Sequence, residues 1–268
     1  MTIFDEAERR VWAGRAEAYG RSYAKLCAYP VPQLLDGVQV AAGTALLDVG
    51  TGTGAVAEAA VARGARVRAV DADAGMVAAA AERVPEARVS QAVLPELPFG
   101  NGEFDVVAAN FVLNHVGRPA AALRELRRVL RPGGRAGLTI WAVPAAGGQS
   151  LVPRALNAAG AVRPGWLPSL DPEHDFERSE SGLAALVRAA GFTAVEARTL
   201  RWEHRATPDE WWAGPANGVA AVGRTLLAQG AAVQQEARRQ FELLAAEFAA
   251  PDGTLVLPHA ALLVIGVA

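Results

Sequence analysis

The sequence predicts an α/β fold with a doubly wound, mostly parallel sheet, and three observations support this prediction. A short apolar strand, Ala45–Val49, runs directly into the glycine-rich segment 50–54 and then into an alanine-rich helix. Between residues 45 and 141, short apolar runs alternate with stretches of helical periodicity, which is typical of repeated strand–helix units. The chain of 268 residues is 51% hydrophobic and 20% charged, so it has enough apolar material for one large core.

Seven strands are expected in the core. The predicted strands are Ala45–Val49, Arg66–Asp71, 87–91, Phe104–Asn110, 135–141, 193–202 and 254–266. Helices are expected after the first strand up to Gly64, over 74–83, over 120–130, near 150–159, over 179–190, and over 208–248 with a break at 213–215. The helix over 120–130 should stop at residues 131–134, because Arg-Pro-Gly-Gly combines a cation, a helix breaker and two flexible residues.

The N-terminal 4–29 segment is predicted to be helical, because one face repeats at three- and four-residue spacing: Trp12, Arg15, Ala16, Tyr19 and Tyr23. This face either packs on the core or forms a lid that closes over a ligand. The whole chain is therefore expected to contain a lid (1–40), a core (41–143, 182–207 and 251–268) and a largely helical cap (144–181 and 208–250).

The charge and the cysteine content limit the kinds of partner and the compartment that we expect. The net charge is −2, which does not favour nucleic acid or an anionic membrane. The single cysteine, Cys27, cannot pair within the chain, and the first twenty residues carry many charges. We therefore expect a cytoplasmic protein without a signal peptide. The longest apolar run, residues 260–268, is too short for a membrane span. The expected partner is a small molecule, and the chain is expected to be a monomer or homodimer.

The glycine-rich segment predicts a nucleoside-binding loop. Its glycines are spaced Gly50-x-Gly52-x-Gly54, whereas a dinucleotide loop uses G-x-G-x-x-G to seat a pyrophosphate. Asp48 precedes the loop, and its carboxylate would repel a pyrophosphate but suit a ligand with a positive amino group. Asp71, which ends the second strand, is positioned to accept hydrogen bonds from ribose hydroxyls. The alternative is that Asp48 or Asp71 simply caps the following helix.

At these residues the chain resembles the class I S-adenosylmethionine-dependent methyltransferases, and within them the small-molecule, ubiquinone- and menaquinone-biosynthesis-like (type 11) group. The resemblance keeps the order of the family's motifs over residues 44–141. The matching segments are 46–54 (LLDVGTGTG), 70–76 (VDADAGM), 97–99 (LPF), 104–107 (FDVV), 110–115 (NFVLNH) and 126–134 (LRRVLRPGG). The N-terminal Trp12, Arg15-Ala16 and Tyr19 pattern is also similar to that group.

The resemblance implies a Rossmann-like seven-stranded sheet whose last strand is antiparallel, with S-adenosylmethionine as cofactor and S-adenosylhomocysteine as product. In that family Asp48 and the first glycines would line the methionine part, Asp71 would bind the ribose, and Ala72 and Met76 would flank the adenine. The full set of implied cofactor-binding residues is Asp48, Gly50, Thr51, Gly52, Gly54, Asp71, Ala72, Met76, Val93, Leu94, Asn110 and Phe111.

The chain departs from the family at the adenine end. The family usually has an aspartate before the Leu-Pro-Phe segment, and this chain has Val93 there. Leu94 still offers a backbone N–H to the ring. We expect cofactor binding to persist with one polar contact fewer, which costs on the order of 1 kcal/mol.

Methyl transfer is an in-line displacement and needs a base only when the nucleophile must lose a proton early. His115 follows the fourth strand and should lie at the carboxyl end of the sheet, where it either acts as the base or shapes the pocket. Tyr19 is expected to close or position the site from the lid. His174 lies in an acidic loop with no spaced partners for a metal, so no metal site is predicted.

Aromatic residues suggest the acceptor pocket. Five tryptophans lie in or beside the proposed cap: Trp141, Trp166, Trp202, Trp211 and Trp212. A pocket lined by Tyr23 from the lid with Trp141, Trp166 and Trp202 would suit a planar or hydrophobic, secondary-metabolite-like acceptor. The alternative is that these rings only pack the cap onto the core. His204 is expected to face the cap, and His259 reads as a structural residue of the last strand.

Three functions remain open on the sequence. The first is a methyltransferase that acts on a small aromatic or hydrophobic acceptor. The second is an enzyme of the same fold that binds S-adenosylmethionine without methylating, for example in a cyclisation or rearrangement. The third is an NAD(P)-dependent oxidoreductase, which the glycine spacing and Asp48 disfavour.

Overall fold

A computed structural model describes residues 2–268. Within these residues, seven strands form one sheet in the order β3-β2-β1-β4-β5-β7-β6. The strands are β1 (Ala45–Val49), β2 (Arg66–Asp71), β3 (Arg88–Gln91), β4 (Phe104–Asn110), β5 (Leu130–Trp141), β6 (Thr193–Ala206) and β7 (Leu255–Val267). Strands β1 to β5 are mutually parallel, and β7 runs antiparallel between β5 and β6. The predicted doubly wound sheet with an antiparallel last strand is confirmed.

Helices cover both faces of the sheet, which explains the continuous apolar runs of the central strands. Leu46 packs in one core with Leu34 of helix α4 (Val31–Gly37). The next residue, Leu47, packs on the opposite face with Leu123 of helix α7 (Pro119–Val129). Because successive residues of a strand point to opposite faces, both leucines of β1 are completely buried.

The remaining helices connect or flank these strands. They are α1 (Ile3–Trp12), α2 (Ala16–Arg21), α3 (Tyr23–Ala28), α5 (Ala55–Ala62), α6 (Ala74–Arg83), α8 (Gly147–Ala158), α9 (Glu180–Ala189), α10 (Pro208–Ala216), α11 (Ala220–Leu227) and α12 (Ala231–Ala245). None of the helices within residues 2–268 combines the length and the apolar character that crossing a membrane requires.

Several predicted boundaries differ from the structure. The 4–29 region contains three short helices, and β6 extends to Ala206. Helix α7 ends at Val129 and β5 begins at once, with Leu130 paired to Phe104. The predicted break at 213–215 is wrong, because α10 continues through Pro215 to Ala216. The chain instead leaves the helix at Gly218, which has a φ of 72° and whose N–H bonds the Pro215 carbonyl. A proline in the last turn is tolerated there, and the left-handed glycine ends the helix.

A third apolar cluster lies apart from the two faces of the sheet. Leu151 of α8, Trp211 of α10 and Phe241 of α12 pack there against Leu257 of β7. These contacts join the proposed cap to the last strand. The division of the chain into lid, core and cap remains a prediction.

Candidate functional site

The turn between β1 and α5 is built from glycines in the left-handed region. Gly50, Gly52 and Gly54 have φ values of 65°, 55° and 89°, which residues with a Cβ rarely adopt. A Cβ on Gly50 would lie 2.4 Å from Cγ2 of Val112, the residue that follows Phe111. The loop therefore has both the backbone conformation and the close packing that only glycine permits.

Asp48 lies beneath this loop, completely buried. Its Oδ2 accepts hydrogen bonds from Thr51 Oγ1 at 2.6 Å and from the Ala57 N–H at 3.1 Å. Burial raises the pKa of Asp48 to about 7, although the Thr51 hydrogen bond acts in the opposite direction. Within residues 2–268, Asp48 Oδ1 is buried without a hydrogen-bond partner, and the role of Asp48 at the methionine end stays a prediction. Its carboxylate ties the loop to the first turn of α5.

A single large cavity of about 850 Å³ opens over the loop at the carboxyl ends of the parallel strands, where ligands bind in doubly wound sheets. The predicted site residues that line it are Gly50, Gly52, Asp71, Ala72, Met76, Val93, Leu94, Asn110, Phe111, Tyr19, Tyr23, His115 and Trp141. Asp48, Thr51 and Gly54 do not line it.

Asp71 reaches the cavity from the end of β2. Its Oδ2 accepts a hydrogen bond from the Gly52 N–H at 2.8 Å, and its Oδ1 accepts one from the Asp73 N–H at 3.0 Å. Burial raises the pKa of Asp71, and these backbone donors oppose the rise. A carboxylate oxygen has further lone pairs, so Asp71 can still accept hydrogen bonds from a ligand.

The predicted adenine end is a mostly apolar wall. Ala72, Met76, Val93 and Leu94 line the cavity there together with Gln91. The Gln91 side chain donates a hydrogen bond to the Ala72 carbonyl at 2.8 Å. Val93 therefore adds apolar surface where the family usually has an acid.

Asn110 connects three elements at the centre of the cavity. Its Nδ2 donates to the Cys27 carbonyl at 2.7 Å, and its Oδ1 accepts from Thr139 Oγ1 at 2.6 Å. Thr139 Oγ1 also accepts the Phe111 N–H at 2.9 Å. Phe111 has a φ of 59° and stacks on Trp141 with ring centroids 4.1 Å apart. The Asn110 amide thus holds the strand end from which Phe111 projects.

The far half of the cavity is aromatic. Tyr23, Trp141 and Trp211 line it together with His259, and the Trp211 and His259 ring centroids are 5.4 Å apart. His259 Nδ1 lies 2.8 Å from the Leu257 carbonyl oxygen, and burial lowers the pKa of His259 to about 4. Trp211 was expected in or beside the cap, whereas His259 was predicted to be a structural residue and was not expected to line the cavity.

Two predicted pocket tryptophans lie elsewhere. Trp166 is 41% exposed, in the loop between α8 and α9. Trp202 pairs across from His259 and stacks on its ring, with centroids 6.0 Å apart. It also stacks on Tyr29. Because these rings pack on one another, Trp202 supports the wall without lining the cavity. His204 is also buried, 5.4 Å from the Trp211 ring centroid.

The N-terminal helix closes one side of the cavity. His115 Nδ1 lies 2.7 Å from Oε2 of Glu8 in α1, and the Trp12 ring meets the His115 ring edge-on at 5.3 Å. Asp5 Oδ1 accepts the Gly117 N–H at 2.6 Å. Glu8 was missed by sequence reasoning, although it lies four residues before Trp12 and therefore on the same helical face.

His174 lies apart from the cavity lining, with Nε2 3.5 Å from Oε1 of Glu173. Across residues 2–268, no group of three or more His, Cys, Asp or Glu side chains is arranged to hold a metal ion.

The doubly wound sheet with an antiparallel last strand, the glycine loop after β1 and the acid ending β2 define the class I S-adenosylmethionine-dependent methyltransferases. The family described as "Methyltransferase domain" matches residues 47–138. A demethylmenaquinone methyltransferase of Clavibacter sepedonicus is 33% identical over 175 residues, which cover 59% of this chain and 69% of that protein. The chain therefore belongs to the S-adenosylmethionine-dependent methyltransferase family. Other curated relatives of the same name match over less than half of their own length.

Solved structures share the fold at lower identity. The Haemonchus contortus phosphoethanolamine N-methyltransferase 2, solved with phosphomonomethylethanolamine and S-adenosylhomocysteine, has a TM-score of 0.53 and 19% identity, covering 88% of this chain and 52% of that chain. The [4+2]-cyclase SpnF has a TM-score of 0.52 and 21% identity, covering 91% and 82%. Because proteins with different chemistry share it, the fold does not specify the acceptor.

Proposed function

We propose that this protein transfers a methyl group from S-adenosylmethionine to a small, aromatic, quinol-like acceptor. The observation that carries the proposal is the single cavity of about 850 Å³, which joins the glycine loop and Asp71 to a chamber walled by Trp141 and Trp211. This volume lies within the range of small-molecule sites, about 300–1,000 Å³.

The residues at the loop end fit the cofactor. Gly50 and Gly52 line the cavity and have no Cβ of their own to separate the loop backbone from a ligand. Asp71 is held by two backbone N–H groups and can accept the ribose hydroxyls. Met76 and Leu94 offer apolar surface to the adenine. Tyr19 would cover the methionine end, because its ring lies 3.5 Å from where a Cβ of Gly52 would be.

The aromatic half favours a planar apolar acceptor. Trp141 is already stacked on Phe111, and flat rings gain free energy from burial and from stacking on such a surface. The name of the Clavibacter sepedonicus relative, a demethylmenaquinone methyltransferase, supports an aromatic quinol as the acceptor class.

When bound, S-adenosylmethionine supplies an electrophilic methyl group on a positively charged sulfur. The contribution of this chain is to align the acceptor with that methyl group and to exclude water. Phe111 and Trp141 would orient the acceptor ring, and α1 with Trp12 would close the cavity above it.

Calorimetric titration and a label-transfer assay test the proposal in sequence. We expect S-adenosylmethionine and S-adenosylhomocysteine to bind, and NADH not to bind. With methyl-labelled cofactor, label should appear in a prenylated naphthohydroquinone and not in phosphoethanolamine. Binding of S-adenosylhomocysteine without label transfer to any aromatic acceptor would overturn methyl transfer, whereas tight binding of NADH alone would overturn the cofactor assignment.

A further inference from the structure

The contact between Glu8 and His115 joins the N-terminal helix to the wall of the cavity. The two side chains come from positions 107 residues apart, and Glu8 Oε2 lies 2.7 Å from His115 Nδ1. Both residues line the cavity. The glutamate side chain is only 16% exposed, whereas the histidine side chain is 34% exposed. The carboxylate is thus held against the ring while the ring remains accessible.

Helix α1 is fixed at both ends, which determines where Glu8 lies. At its N-terminus, Asp5 forms a capping box with Thr2 and also accepts the Gly117 N–H at 2.6 Å. At its C-terminus, the Arg224 guanidinium of α11 donates to the Val11 carbonyl at 3.0 Å. The position of Glu8 beside His115 is therefore a consequence of helix docking at two independent points.

The contact selects one tautomer of the neutral imidazole. An ionised carboxylate only accepts hydrogen bonds, so His115 Nδ1 carries the hydrogen and Nε2 keeps its lone pair. Among residues 2–268, no side chain or backbone group forms a hydrogen bond with Nε2, and this atom is not buried. His115 therefore presents an unoccupied proton acceptor from the cavity wall.

We propose that Glu8 is a positioning residue that holds His115 as the base for an acceptor with an ionisable O–H or acidic C–H group. This inference rests on the proposed methyl transfer and narrows its acceptor class. The acceptor's O–H or C–H proton passes to Nε2, and the electron pair it leaves forms the bond to the methyl carbon. The electron pair of the broken carbon–sulfur bond stays on S-adenosylhomocysteine, and the imidazolium next to Glu8 later releases the proton to water.

The arrangement follows the general logic of an oriented base, in which a third group fixes the ring of the histidine. Because Glu8 belongs to α1, the docking of that helix fixes the imidazole that faces the cavity.

Proton–nitrogen correlation NMR of the full chain with bound S-adenosylhomocysteine tests the tautomer directly. The His115 signals are assigned by their loss in His115→Asn. We expect the Nδ1–H tautomer in the unchanged protein and a shift toward the Nε2–H tautomer in Glu8→Gln. Two controls are available: Glu6→Gln makes the same charge change at an exposed position of α1, and His259 should keep its Nδ1–H form, which faces Leu257.

An unchanged His115 tautomer in Glu8→Gln, or an Nε2–H form in the unchanged protein, would overturn the proposal. This readout needs no methyl acceptor. A protein that transfers no label but shows the expected tautomer change would refute the proposed function while leaving the orienting contact intact.

The kinetic arm compares two acceptors. For a weakly acidic aromatic hydroxyl, Glu8→Gln should lower kcat about 10- to 100-fold, with little change in KM. For an acceptor that is already ionised at the assay pH, kcat should hardly change. Equal losses of kcat for both acceptors, or an effect confined to KM, would show that Glu8 only holds α1 in place. Either result would refute its positioning role.

Discussion

At one end of the cavity, the glycine loop and Asp71 present backbone and carboxylate groups held by short hydrogen bonds. At the other end, the ring of Tyr23 packs against Trp211, and the ring of Trp141 stacks on Phe111. The first end has donors and acceptors at fixed positions, which suits one invariant ligand. The second end offers area and shape, which suits a class of acceptors. Under the proposed function, the methyl donor and the acceptor would be recognised by different kinds of interaction in one cavity.

Burial raises the pKa of Asp48 at one end of the cavity and lowers the pKa of His259 at the other. The resulting pH dependence of the free energy of unfolding should be the largest of the expected effects. Asp48 has a pKa raised from its usual 3.8 to about 7, so the folded state binds a proton that the unfolded state lacks. Its stability contribution is present below about pH 4 and is lost as pH rises toward 7. His259 has a pKa lowered from 6.5 to about 4, so its contribution is present above pH 6.5 and is lost as pH falls toward 4.

The contributions of Asp48 and His259 to the pH dependence of stability have opposite signs. Replacing one of these residues should therefore reveal the pH dependence that the other contributes. We expect the free energy of unfolding of Asp48→Asn to rise between pH 4 and 6.5, and that of His259→Phe to fall between pH 4 and 7. Either slope is at most about 1.4 kcal/mol per pH unit. Urea denaturation without cofactor measures both, and the double variant should have the flattest profile. Identical pH profiles for all four proteins would contradict the assigned burial effects.

Replacing His115 should lower turnover of the acceptor and leave cofactor binding nearly unchanged. His115→Ala removes the base and its contact with Glu8, so we expect kcat to fall about 10²-fold. The dissociation constant of S-adenosylhomocysteine, measured by calorimetry, should stay within about twofold, since this ligand lacks the methyl group that reaches the acceptor. A change confined to KM would mean that the ring only shapes the pocket.

Replacing Asp71 should affect the cofactor half instead. Asp71→Ala removes the acceptor of the Gly52 and Asp73 N–H groups as well as the proposed ribose contact. We expect cofactor binding to weaken by roughly 1–3 kcal/mol, measured by calorimetry. Asp105→Ala is a matched control, because Asp105 accepts the Ala45 N–H at 2.8 Å at the opposite end of the same sheet. Equal losses in the two variants would indicate a fold effect and contradict the ribose assignment.

The two ends of the cavity also differ in how much of each could be predicted from the sequence. The bounds of β1, β2 and β4 agree with the predictions from the apolar runs, because strand, glycine turn and helix are encoded by adjacent residues. The lining of the acceptor half depends on contacts between distant segments. Trp141 pairs opposite Ala261 only through the antiparallel register of β5 and β7, and composition carries no information about that register.

The errors have the same origin. Trp166 and Trp202 were expected in the pocket because aromatic residues cluster in the cap sequence, but one is exposed and the other lies behind His259. Glu8 was overlooked because its partner lies in another element, after β4. Asp48 lies beneath the turn, where Thr51 and Ala57 donate to one of its carboxylate oxygens, an arrangement that its place in the sequence does not reveal. The type of a residue can suggest its chemistry, whereas the direction in which its side chain points depends on the fold.

The smallest expected effect separates a lining tryptophan from a peripheral one. Trp141→Leu removes a ring that lines the cavity and stacks on Phe111, with centroids 4.1 Å apart. A stacking contact between an aromatic acceptor and this ring would contribute about 1 kcal/mol beyond buried area. We therefore expect KM for an aromatic acceptor to rise about fivefold, since 1.4 kcal/mol corresponds to a factor of ten, with unchanged cofactor affinity. Trp166→Leu is the control, and its steady-state kinetics should match those of the unchanged protein. If Trp166→Leu raised KM as much as Trp141→Leu, the acceptor would have to bind outside this cavity, and the division into a cofactor half and an acceptor half would fail.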